Sequence, residues 1–116
     1  MRKIYHLSSC STCHQIIKEL KLKEKNFMFQ DIKTEKITPA QLDEMVKIAG
    51  SVESLFSTKA IKYRELGLKD KKLTDAEKRS YILNEYTFLK RPVIIIDSKI
   101  FAGNSAEIIS RVTSNL

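Results

Sequence analysis

KIYHLSSCSTCHQII, residues 3 to 17, changes its hydrophobic period in the middle. Lys3 to Leu7 is a short strand-like run closed by Ser8 and Ser9. After it, Cys13, Ile16, Ile17 and Leu20 recur at the i, i+3, i+4, i+7 spacing of an amphipathic helix. The two cysteines of the chain straddle that boundary at C-x-x-C spacing. Cys13 is predicted on the core face of the helix. Cys10 falls near the N-cap, where unpaired backbone N–H groups and the positive end of the helix dipole stabilise a thiolate. The two sulfurs are therefore inequivalent, with Cys10 placed to attack and Cys13 to resolve.

Two other readings of the pair are weaker. A structural zinc ion needs about four ligands. His6 and His14 lie beside the cysteines, but no distant second ligand pair follows to close a loop around the metal, so no metal site is expected. A structural disulfide across so short a loop restricts the unfolded chain little, and 116 residues suffice to bury a core. Thiol redox chemistry is the reading that the pattern favours.

With 42% hydrophobic and 30% charged residues, three glycines and two prolines, the composition is that of one folded domain. The opening MRKIYHLSS lacks the apolar run of a signal peptide. The longest apolar run elsewhere, Pro92 to Ile96, is too short for a bilayer. A cytoplasmic location is expected, with no membrane partner. In that compartment close cysteine pairs are catalytic, redox-sensing or metal-binding more often than permanent cross-links. The net charge of +7 biases encounters toward anions or acidic partners. Residues 59 to 79 carry eight basic and four acidic side chains. The interleaved carboxylates suit a solvated helical surface better than a nucleic-acid patch, and direct DNA binding is not expected.

Downstream, a second strand is predicted at Phe27 to Ile32. Thr38, Pro39 and Gln41 form a helix start with N-cap, N1 proline and capping-box partner. Leu42, Met45, Val46 and Ala49 are its apolar stripe, and Gly50 its stop. Thr74 to Glu77 is a second capping box, opening a helix that carries Ile82, Leu83 and Tyr86. RPVIIID reads as a buried strand and KIFA as its hairpin partner across Asp97 and Ser98. Asn104 is expected to cap a last helix with Ile108, Ile109 and Val112 inward. The predicted order is β-α-β, a helical insertion over about residues 38–90, then β-β-α: an α/β, thioredoxin-like fold with a mixed sheet. No linker divides the chain, so residues 1–116 are expected to form a single domain with the insertion packed on the same sheet.

IYHLSSCSTC, ELGL at 65–68 and RPVIII at 91–96, in that order and spacing, resemble the ArsC/Spx family of thioredoxin-fold proteins, which includes glutaredoxin-linked arsenate reductases, Spx transcriptional regulators and YffB-like members. The resemblance spans almost the whole chain. It implies that Cys10 is the nucleophile and that Arg91 precedes a cis-proline, Pro92, beside it. It also implies that His6 helps to lower the thiol pKa. No bound cofactor is implied, and glutathione, glutaredoxin or thioredoxin is the expected electron donor. Ser11 and Thr12, with Arg91 and Pro92, are the expected substrate-binding positions, since a guanidinium offers a fixed fork of donors for an oxyanion or carboxylate.

The departures from the family pattern bear on the substrate. Arsenate reductases of this family use three arginines, and Arg91 matches only the first; Ser57 stands where the second is expected and Gly103 near the third, with Lys59 and Arg64 offset. The intact C-x-x-C is an Spx-like feature, which keeps a redox-sensing regulator that binds RNA polymerase as the contrasting expectation. At the polymerase-contacting position, however, Gly50 is followed by Ser51 rather than arginine. The leading expectation is an ArsC-like thiol-disulfide oxidoreductase acting on a thiol or disulfide substrate. The sequence carries no signal for the oligomeric state.

Overall fold

A computed structural model describes residues Met1–Leu116. In chain order the elements are β1 (Arg2–His6), α1 (Ser11–Glu19), β2 (Met28–Asp31), α2 (Pro39–Ala49), α3 (Ile61–Glu65), α4 (Asp75–Asn84), β3 (Val93–Ile96), β4 (Lys99–Ala102) and α5 (Ala106–Ser114). Two compact units result, one from residues 1–36 and 91–116, the other from residues 37–90.

The first unit holds the sheet, in the order β2-β1-β3-β4. β1 runs parallel to β2 and antiparallel to β3, and β3 runs antiparallel to β4, so the sheet is mixed. A parallel pair needs a crossover, which α1 provides; an antiparallel pair can be joined by two residues. Asp97 and Ser98 do so here, with Asp97 at φ 55° in the left-handed region that such turns require. All four residues of β3 are buried, which is why that stretch reads as an unbroken apolar run. Ile4, Ile94 and Phe101 are register partners across three strands. They form one core with Ile16 and Ile17 of α1, Val112 of α5, and Leu22 and Phe27 between α1 and β2. The order of elements and the mixed sheet are those expected of an α/β, thioredoxin-like chain.

The last helix begins one residue later than expected. Ser105, not Asn104, is its N-cap, with Ser105 Oγ accepting from the Ile108 N–H. Asn104 is drawn elsewhere, because its side-chain amide donates to the Arg91 carbonyl at 3.1 Å. Ile108 and Ile109 pack against the core as partly buried residues, while Val112 is fully buried.

The second unit is helical. Both predicted capping boxes are present, Thr38 with Gln41 and Thr74 with Glu77, and Gly50 ends α2 at φ 87°. Its largely aliphatic core, with Leu42, Met45, Leu55, Ile82 and Leu89 buried, includes an aromatic cluster: Phe56 stacks on Phe88 with centroids 5.4 Å apart and planes 6° apart, and Tyr81 tilts onto Phe88 at 5.2 Å. A bidentate Arg79–Asp43 pair, at 2.9 and 3.2 Å, ties α4 to α2. Tyr86 lies beyond α4, in a 3-10 turn spanning Tyr86–Phe88. The basic 59–79 stretch is helical only in parts, interrupted by a 3-10 turn at Leu68–Asp70. Since Thr38 satisfies an otherwise orphaned N–H, Thr38→Ala is expected to cost about 1 kcal/mol. A lower urea midpoint at unchanged m-value is the measurement that checks it.

Candidate active site

The loop between β1 and α1 is held by its own backbone and by contacts from β2 and α1. The Cys10 N–H donates to the Leu7 carbonyl at 2.9 Å, turning the chain. The Ser8 N–H donates to Asp31 Oδ1 at 3.2 Å, at the end of β2, and the Ser8 carbonyl accepts from Nε2 of His14 on α1. The Lys33 N–H donates to the same Asp31 oxygen at 3.1 Å. Although desolvation opposes it, these hydrogen bonds hold the Asp31 carboxyl below its ordinary range. Asp31 and His14 thus fix the loop before Cys10 from either side, through contacts that no local sequence pattern announces.

Cys10 is the N-cap of α1, with extended backbone at φ −94° and ψ 112°, and its side chain is partly exposed. Partial burial raises its thiol pKa. Hydrogen bonds from the Cys13 N–H, the Cys13 thiol and the Thr12 N–H, together with the Arg91 charge, outweigh that, so the Cys10 thiol lies below the ordinary range. Cys13 is 0% exposed. Burial pushes its thiol up to about 11; a hydrogen bond from the Leu7 N–H opposes this, the neighbouring Cys10 adds to the rise, and Arg91 lowers it least. The two sulfurs therefore sit on opposite sides of the normal thiol pKa, one helical turn apart.

Arg91 reaches this pair from the start of the strand hairpin. Its peptide bond to the buried Pro92 is cis. The segment is pinned to the loop before α5, since Asn104 donates to the Arg91 carbonyl and the Gly103 N–H donates to the Pro92 carbonyl at 2.9 Å. Arg91 Nη1 is buried and has no acceptor among the protein's own atoms. Asn104, expected to cap the last helix, is instead bonded to the backbone of Arg91.

His6 lies elsewhere in the electrostatics. Its ring meets Phe29 edge-on at 5.8 Å and 78°, and its buried Nδ1 has no hydrogen-bond partner. Desolvation lowers its pKa, Asp31 opposes the shift, and His14 and Lys23 add to it, so the imidazole is neutral at neutral pH. The charge acting on Cys10 is that of Arg91. Ser11 and Thr12 are exposed in the first turn of α1. Ser57, Lys59 and Arg64 belong to the helical unit, and Gly103 takes φ 104° in the sheet unit. No group of three or more His, Cys, Asp or Glu side chains is arranged to hold a metal ion. No helix is long and apolar enough to cross a membrane.

Comparison with known proteins adds a family and a set of folds. The ArsC family matches residues 5–112. An arsenate reductase from Vibrio cholerae superposes with a TM-score of 0.79 at 18% identity, covering 99% of this chain and 97% of that one, a likeness of fold alone. A protein from Streptococcus mutans UA159, described as a possible arsenate reductase, gives 0.73 at 27% identity over 91% and 92% of the two chains. SACOL0876 from Staphylococcus aureus COL gives 0.76 at 29% identity over 96% and 97%. A search of the curated proteins returned no match.

Proposed function

The chain belongs to the ArsC family, and from that premise we propose that it is a thiol-disulfide oxidoreductase in which Cys10 attacks and Cys13 resolves. The observation that carries this reading is the opposed acidity of the two thiols: Cys10 is lowered and Cys13 is raised to about 11 beside the same guanidinium. A nucleophile must be ionised at working pH, while a resolving thiol must stay protonated until it is needed.

In the first step the Cys10 thiolate attacks one sulfur of a substrate disulfide. A Cys10–substrate disulfide forms, the substrate S–S bond breaks, and the other substrate sulfur leaves as a thiolate. Cys13 then gives up its proton and its sulfur attacks Cys10, releasing the second substrate thiol and leaving a Cys10–Cys13 disulfide. The substrate gains two electrons and the protein loses two. An external thiol reductant, glutathione, glutaredoxin or thioredoxin, restores the reduced pair. Ser11 and Thr12, exposed in the first turn of α1, flank the substrate, and the Thr12 and Cys13 N–H groups face the reacting sulfur. Arg91, with Nη1 still lacking an acceptor, binds an oxyanion or carboxylate of the substrate beside Pro92, whose carbonyl accepts from the Gly103 N–H. His6, being neutral, serves as a polar wall of the loop and supplies no charge. The whole chain works as one cytoplasmic domain, with the helical residues as its insertion.

Brief alkylation with iodoacetamide tests the roles. Cys10 is expected to react first, with a rate that rises at lower pH than for an ordinary thiol. Cys13, with a pKa of about 11, is ionised to only about one part in ten thousand at pH 7 and should stay unmodified. Arg91→Ala should move the Cys10 profile upward, because the charge that favours the thiolate is gone. Peptide mapping that finds Cys13 modified first would reverse the assignment. Assays against arsenate, a mixed glutathione disulfide and a protein disulfide then separate the substrate classes. Robust arsenate turnover would favour the arsenate reductase reading. Absence of all turnover, with reversible oxidation of the pair, would favour a redox-sensing regulator that binds RNA polymerase.

A further inference from the structure

We propose that the groove between α1 and β2 is a binding site for a small organic anion with an apolar body. The groove has a volume of about 460 Å³, within the range of small-molecule sites. Its apolar surface comes from Ile17 of α1 and Phe29 of β2. Phe29 stands on an edge strand with 37% of its surface exposed and makes an edge-on ring contact with His6. Lys18, Lys21 and Lys23 stand along the rim against a single acid, Glu24. None of the three lysines takes part in an ion pair, although the chain forms such pairs elsewhere. An apolar wall under three unneutralised ammonium groups matches a ligand that is apolar at one end and anionic at the other. Inorganic phosphate would leave Ile17 and Phe29 unused, and a neutral apolar molecule would leave the lysines unused.

Lys21 supports the same reading. It sits in the left-handed region, at φ 53° and ψ 43°, where glycine is the ordinary occupant. This conformation ends α1, with the Lys21 N–H donating to the Lys18 carbonyl at 3.2 Å, so glycine suits the turn and what the lysine adds is its ammonium on the rim. Among the charges that act on His6, Asp31 favours its proton, and the smaller effects of His14 and Lys23 oppose it; the positive character of the groove rests on its three lysines against Glu24. Neither cysteine lines the groove, and the proposal goes beyond the thiol chemistry without depending on it.

Fluorescence titration of the full chain with 8-anilinonaphthalene-1-sulfonate, beside the neutral N-phenyl-1-naphthylamine, is the test. One saturable site is expected for the sulfonate, with the neutral dye at least about tenfold weaker. Decanoate should displace the sulfonate at concentrations where inorganic phosphate does not. Lys21→Gly should weaken sulfonate binding by about threefold or more while its thermal midpoint stays equal or rises. That combination separates lost recognition from lost folding. Lys18→Gln with Lys23→Gln should weaken it further, and Cys10→Ser should bind as the wild type does, keeping this result independent of the redox reading. Histidine proton resonances should show the His6 pKa rising when the sulfonate is bound. Equal affinity for the neutral dye, lysine variants that bind unchanged, or a His6 titration indifferent to the sulfonate would each overturn the proposal.

Discussion

Replacing Cys10 by serine is expected to lower disulfide-reducing turnover by about three orders of magnitude or more. The serine hydroxyl fits the N-cap position at least as well as a thiol, so the loss reads chemistry and not folding. A serine hydroxyl does not ionise in this range, whereas the Cys13 and Thr12 N–H groups and Arg91 lower the Cys10 thiol against the opposing effect of its partial burial. Cys13→Ser should behave differently. The first attack still occurs, but the mixed disulfide persists, and intact-mass measurement should show the protein carrying half of the substrate. A Cys10→Ser protein that retains activity within about tenfold of the wild type would remove Cys10 from the mechanism. An adduct that accumulates on the Cys10→Ser protein would exchange the two roles.

Ile94→Ala should be the most damaging of the simple core truncations, costing about 3–4 kcal/mol and lowering the thermal midpoint by roughly 10–20 °C. Ile94 is 1% exposed, lies on an interior strand, and pairs with Ile4 on one side and Phe101 on the other. The neighbouring strands constrain the backbone on both sides, so little collapse can fill the cavity. Ile61→Ala is the matched control: at 67% exposure it should change stability by less than about 0.5 kcal/mol. Similar urea midpoints for the two variants would mean that the core is not centred on β3.

What could be read in advance follows from the range of the interaction that decides it. Cys10 at an N-cap, Thr38 and Thr74 in capping boxes, and Gly50 as a stop all rest on neighbours within four residues, and each was visible as a short pattern. β3 was visible because burial on both faces demands an unbroken apolar run. The cap of α5 was misplaced by one residue. Asn104 and Ser105 are equally good caps by local rules, and the contest is settled by Asn104 donating to a carbonyl thirteen residues away. α3, five residues long, and the 3-10 turns are too short to show a period. In the site, the C-x-x-C and Arg91 were legible as types and spacings. The hold of Asp31 and His14 on Ser8 was not, because it joins three elements whose proximity only the folded sheet creates. The same limit applies to His6: its strand was predicted, but the surroundings that make it neutral come from β2, α1 and the turn between them.

The pairing of β1 with β3 has a consequence for biosynthesis. Arg2 is the register partner of Ile96, so the second neighbour of the first strand is not yet made when that strand leaves the ribosome. At about 5–20 residues per second, β1 waits roughly 5–18 s, and β2 roughly 3–13 s, for the isoleucines that complete their core. During that interval Ile16 and Ile17 lack their partners on Ile94 and Ile96, and the cysteine pair is attached to an unfinished scaffold. A nascent chain in this condition can be oxidised at a thiol that the finished protein conceals, and it presents the free side of β1 to any strand that arrives first. Pro92 and Asp97 bracket the late-arriving VIII segment and limit the length over which it can pair with another chain.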